Sequence, residues 1–174
     1  MAPPVMLPSL SVGGVPKPEL LARLLRAGVR LNPLADALFA DLRFVPAPTA
    51  SRVALARVSV ASLGLPDGGT FAELVAQATA RGLALCPMEL GPHLRLAFTD
   101  QPEGAVGQAA TVHRAPPGAI TVASAPLCED DDVPKGFYLR RIEGTLWLRG
   151  YTAGPEHVWR PEDELVFVEE RHAE

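Results

Sequence analysis

The 174 residues carry a formal net charge of −4, with 48% hydrophobic and 21% charged side chains. That composition excludes a disordered or low-complexity chain, and the acidic balance disfavours a protein whose main work is neutralising nucleic-acid phosphates. One domain, or one domain with a small helical appendage, accounts for the length, and a chain of this size buries enough surface to fold without disulfides or metal.

Residues 1–16 contain several Pro and Gly and are expected to be extended. They lack the basic and apolar regions of a signal peptide, and no run of about twenty apolar residues follows, so a soluble, cytoplasmic protein with no membrane partner is expected. Pro18 suits the start of a helix in which Leu20, Leu21, Leu24 and Leu25 repeat at helical spacing, with Gly28 as its left-handed stop. Asn32-Pro33 reads as an N-cap and first helical residue of a second helix, with Leu34, Leu38 and Leu42 on one side. Two short helices so joined suggest a helical hairpin over residues 1–45. A DNA-reading helix-turn-helix is disfavoured, because the second helix offers mainly Asp36, Asp41 and Arg43.

Residues 44–51 read as a linker before an α+β core over 52–170, the two parts forming one compact unit. Alternation from Arg52 to Val60 predicts a strand. Over 70–81, Thr70 and Glu73 make a capping box, Phe71, Leu74, Val75 and Ala78 make an apolar stripe, and Gly82 ends the helix. Leu94 to Phe98 alternates like a strand, with His93, Arg95 and Ala97 on its opposite face. Residues 99–118 form a long loop whose D-Q-P-E-G opening reads as turn chemistry. A short strand is expected over 119–125 and an acidic loop, lacking the spacing of a calcium-binding loop, over 129–132. A hairpin turning at Glu143-Gly144 and a last strand from Leu165 to Glu169 follow. Helices lead and strands dominate the second half, which gives an α+β class: an N-terminal helical hairpin and one further helix packed on a mostly antiparallel sheet.

With Glu143 and Gly144 as the loop, Ile142 pairs Thr145, Arg140 faces Trp147 and Tyr138 faces Arg149, all four side chains on one face. Phe137, Leu139 and Leu148 take the other. Such pairs can simply stabilise the hairpin, at about 0.2–1 kcal/mol each. Arginines beside aromatic rings also suit recognition of carboxylates, phosphates or stacked groups. Tyr138, Arg140, Trp147 and Arg149 are therefore the candidate binding residues.

A second constellation is Glu89, His93 and Arg95, at stiff turns made by Pro87, Gly91 and Pro92. A carboxylate orienting a histidine is what a general base requires, so these are the candidate catalytic residues; a hydrogen-bonded structural histidine is the plainer reading. Glu89, Asp100, His93 and His113 match no metal-ligand spacing, and no metal or other cofactor is expected. Cys86 and Cys128 read as buried free thiols. The dinucleotide, P-loop and nucleophile-elbow motifs are absent.

SVASLGLPDGGTFAELVAQATARGLALCPMELGPHLRL with AFTDQPEG, then PKGFYLRRIEGTLWLRGY and VWRPEDELVFV, resemble a group of short bacterial proteins. The L-C-P-x-E-x-G-P-x-L-R-L stretch is the most specific part, and the likeness spans roughly residues 9–168. The resemblance implies a bacterial source and a stand-alone domain. No activity attaches to the group, so no catalytic residue carries over. The expected function is a small binding or interaction module with a protein or small-molecule partner, nucleic acid being disfavoured. The alternative is a hydrolase or transferase without a signature, with Glu89 and His93 as the acid–base pair.

Overall fold

The computed structural model describes residues 2–104 and 118–170. In chain order its strands are β1 (Val5–Val12), β2 (Arg30–Leu31), β3 (Ser51–Ser59), β4 (Gly69–Thr70), β5 (Leu83–Ala84), β6 (Ile120–Val122), β7 (Gly136–Ile142), β8 (Thr145–Tyr151), β9 (Val158–Trp159) and β10 (Glu164–Glu169). Helices α1 (Lys17–Arg26), α2 (Pro33–Ala40), α3 (Phe71–Thr79) and α4 (Leu90–Ala97) are interspersed with them. The class is α+β. The main sheet runs β1-β3-β10-β6-β7-β8-β2, with β5 also paired to β10, and β4 and β9 make a separate pair. Pairing is antiparallel except for β10 with β6 and β2 with β8.

Alternation along the strands divides the core into two layers. Leu55, Ile120, Val122, Leu139, Leu148 and Val166 face one side, packed with Leu20 and Leu24 of α1, Leu38 and Phe39 of α2, and Leu90 and Leu94 of α4. Ala56, Val58, Leu165 and Phe167 face the other, against Leu74 and Ala78 of α3. Each such fully buried Leu, Val or Phe contributes about 1.5–3 kcal/mol. Residues 5–40 thus supply an edge strand at each end of the sheet as well as two helices.

Two glycines set how closely the helices approach. A Cβ on Gly91 would lie 2.8 Å from Phe137 side-chain atoms, and one on Gly150 would lie 2.6 Å from the Leu34 carbonyl carbon. Backbone of α4 therefore rests directly on β7, and the start of α2 directly on β8.

The helix read over 70–81 forms as α3 with its complete Thr70–Glu73 capping box. The alternation at Leu94–Phe98 misled: these residues belong to α4, not to a strand. Pro92 falls in the first helical turn, where its missing N–H has no intrahelical acceptor to serve, and Leu90 and Leu94 stack at i,i+4 toward the core. Leu42 also departs from its expected stripe, lying beyond the end of α2 and 90% exposed. Cys86 is buried and donates to the Val166 carbonyl at 3.3 Å, whereas Cys128 is only half-buried.

Asn32 does more than the expected capping. Its Oδ1 accepts from Ala35 N–H at 2.9 Å and from Gly150 N–H at 2.8 Å, and its Nδ2 donates to the Gly150 carbonyl at 3.0 Å. Replacing Asn32 with Ala removes a cap and orphans two buried backbone groups, so chemical denaturation is expected to show a loss of roughly 2–4 kcal/mol. Glu143 opens the hairpin turn at φ 50°, Gly144 follows at φ 79°, and Glu143 is the one non-glycine residue with positive φ among those described. Glu143→Asn, which suits the first position of this primed turn, is expected to raise stability by about 0.5–1 kcal/mol in the same assay.

Candidate functional site

The β7–β8 register is the one that the turn predicted: Ile142 pairs Thr145, Arg140 pairs Trp147, and Tyr138 pairs Arg149. Phe137, Leu139 and Leu148 lie buried beneath. On the upper face the Arg149 guanidinium carbon sits 4.9 Å from the Trp147 ring centroid and 6.0 Å from that of Tyr138. Its Nε donates to the Tyr138 hydroxyl at 2.8 Å. Trp147, Arg149, Tyr138 and Arg140 are all half-buried, which fixes their geometry and leaves them partly open to solvent.

A fifth member, Arg30, is contributed by β2. It pairs with Trp147 across the parallel bridge and brings its guanidinium to 5.9 Å from the same indole. Sequence reasoning missed it, because a two-residue strand between Gly28 and Asn32 shows no periodicity. Among the described residues, Arg30, Arg140 and Arg149 have no carboxylate within ion-pair distance, and the Arg140 Nε is buried without a hydrogen-bond partner. Guanidiniums held against aromatic faces, with their charge unanswered, form a surface suited to carboxylates or phosphates.

Glu103 secures the end of this hairpin. Its carboxylate accepts from the N–H groups of Glu143 and Gly144 and lies 3.5 Å from Arg141. Gln101, wholly buried, donates to the carbonyls of Leu139 and Gly118, each at 2.9 Å. The D-Q-P-E-G segment is therefore a tether for the hairpin rather than turn chemistry alone. His113 and Arg114 lie outside the described residues.

Arg95, expected beside His93, occupies a different place. Two residues along a helix separate side chains by about 200°, so the helical conformation turns Arg95 away from the acid–histidine pair. It is wholly buried on the underside of the sheet, opposite the Arg–aromatic face. There it donates to Gln101 Oε1 at 2.6 Å, to the Phe98 carbonyl, and more distantly to the Trp147 carbonyl at 3.3 Å. Burial brings its pKa down to about 10, which still leaves it charged at neutral pH. It forms no part of the upper face.

Glu89 and His93 do come together, with Oε2 and Nε2 3.8 Å apart at the start of α4. Each also bonds backbone through one atom, while the Glu89 Oε2 is buried without a hydrogen-bond partner among the described residues. Glu89 Oε1 accepts from Ala47 N–H at 2.9 Å, and His93 Nε2 accepts from Gly13 N–H at 3.3 Å. Gly14 N–H in turn donates to the Ala47 carbonyl at 2.9 Å. The pair thus latches the β1–α1 turn to the 44–50 segment. Among the described residues no group of three or more His, Cys, Asp or Glu side chains is placed to hold a metal ion, and no helix is long and apolar enough to cross a membrane.

No family model matches the chain, and no curated protein or solved structure is similar to it.

Burial lowers the His93 pKa by more than the Glu89 carboxylate raises it, consistent with a neutral ring accepting from Gly13. With the folded value below the ordinary one of about 6.5, the ring's contribution to stability is present above that pH and is lost as pH falls toward the depressed value. Wild-type protein is therefore expected to lose stability between neutral and mildly acidic pH relative to His93→Gln, and parallel denaturation curves for the two at every pH would refute the latch.

Proposed function

We propose that this is a small bacterial cytoplasmic binding module whose recognition surface is the Arg–aromatic face of β7, β8 and β2, and whose partner presents carboxylates or phosphates. The supporting observation is the convergence of Arg30 and Arg149 on Trp147 and Tyr138, with Arg140 beside Trp147 in the register and no carboxylate to answer the three arginines among the described residues. A protein with a net charge of −4 that keeps these arginines unpaired on one surface retains a local attraction for anions, strengthened by the low-dielectric aromatic floor. The bacterial assignment rests on the L-C-P-x-E-x-G-P-x-L-R-L stretch.

The acid–base alternative gains proximity from the 3.8 Å spacing of Glu89 and His93, yet each group already holds a backbone N–H. A catalytic base in that position would release the Gly13 turn each time it took a proton, so the structural role is the better fit.

The test is titration with a glutamate-rich peptide and with inorganic pyrophosphate at low salt, followed through the Trp147 indole N–H resonance. Binding is expected to weaken as salt rises, and alanine at Arg140 or Arg149 to weaken it about tenfold or more. A folded Arg140→Ala/Arg149→Ala protein that binds these probes as tightly as wild type would overturn the assignment.

A further inference from the structure

A separate cavity of about 520 Å³ opens on the same side of the sheet, beyond the other end of β7 and β8 from the Glu143-Gly144 turn. Its walls are Phe71 at the start of α3, Tyr151 at the end of β8 and Trp159 of β9, with the buried Ser124 also lining it. Tyr151 and Trp159 meet at 5.7 Å between centroids with their planes 89° apart, so the two rings form a corner. Glu129, Asp131 and Lys135 stand at the rim.

The charges of the rim do not cancel. The Lys135 ammonium lies 3.5 Å from Asp131 Oδ1 and donates to the Asp130 carbonyl at 3.0 Å, so its charge is answered by Asp131. Glu129 has no hydrogen bond or ion pair among the described residues, which leaves one uncompensated carboxylate beside three aromatic side chains. Aromatic walls can receive a cation through their π systems, and Ser124 and Tyr151 add hydroxyl groups to the lining. A quaternary or fully methylated ammonium loses little hydration on entering, whereas a primary ammonium must give up a strongly held water shell. The volume is within the range of small-molecule sites and leaves room for a substituent.

We propose that this cavity is a binding site for a small quaternary-ammonium compound, with Tyr151, Trp159 and Phe71 surrounding the cationic head and Glu129 supplying the opposing charge. The site adjoins the Arg–aromatic face, the Tyr151 and Tyr138 rings lying 6.4 Å apart between centroids, but its charge preference is opposite and each site carries its own tryptophan.

The test titrates the protein, above the histidine titration range, with choline and with 3,3-dimethylbutan-1-ol, its uncharged isostere. The two indole N–H resonances are assigned from a Trp147→Phe spectrum. Choline is expected to shift the Trp159 signal saturably at millimolar concentrations without moving that of Trp147. The alcohol should bind about tenfold more weakly, and Glu129→Gln should weaken choline several-fold while leaving the alcohol unchanged. Equal binding of choline and the alcohol would reduce the cavity to an apolar pocket and overturn the proposal. So would an unmoved Trp159 signal, or a choline affinity indifferent to Glu129→Gln. Glu129 is an exposed rim residue, so its replacement leaves the fold intact.

Discussion

The register of one hairpin governs what this molecule can present to a partner. Along β7 and β8, side chains alternate between a dry layer and a face of arginines and aromatic rings, so a slip of one residue would exchange the two. Leu139, Leu148 and Phe137 resist that slip, because each would lose the burial worth about 1.5–3 kcal/mol. At the turn, the N–H groups of Glu143 and Gly144 are held by the Glu103 carboxylate, which fixes the end from outside the hairpin. The recognition surface is therefore specified by the hydrophobic core beneath it and by a carboxylate forty residues earlier in the chain.

Beneath the same strands lies a buried charge. Arg95 has no exposure and no carboxylate partner, and its Nε makes no hydrogen bond among the described residues. Its charge is spread over the Gln101 amide oxygen and backbone carbonyls, a set of partial charges that offsets only part of the desolvation. What this arrangement provides is connection. Arg95 joins α4 to Gln101, and Gln101 joins the 98–104 segment to Leu139 and Gly118, so helix, segment and hairpin are fastened at one buried point.

How far the sequence reveals this structure depends on where each feature is encoded. The hairpin and α3 were legible because turn chemistry, capping box and alternation are all local and agree. The end of α4 was not, since Leu94, Leu96 and Phe98 match a two-residue period, while the helical spacing is carried by Leu90 and Leu94. Strands of two residues, such as β2, β4 and β9, leave no periodic trace, and with them Arg30 and the aromatic corner at Trp159 escaped notice. Tyr138, Arg140, Trp147 and Arg149 share one hairpin, so a single turn sets all four on one face. Arg95 was misplaced because its position followed from the wrong period.

The position of β10 bears on how the chain acquires its shape. This strand lies between β3 and β6, yet it comes from residues 164–169, more than a hundred positions after β3 begins. Until those residues are made, β3 and β6 each keep open the edge that β10 will pair. The sheet closes as a late, long-range event, which slows folding and places the interval of greatest aggregation risk just before synthesis of β10 is complete.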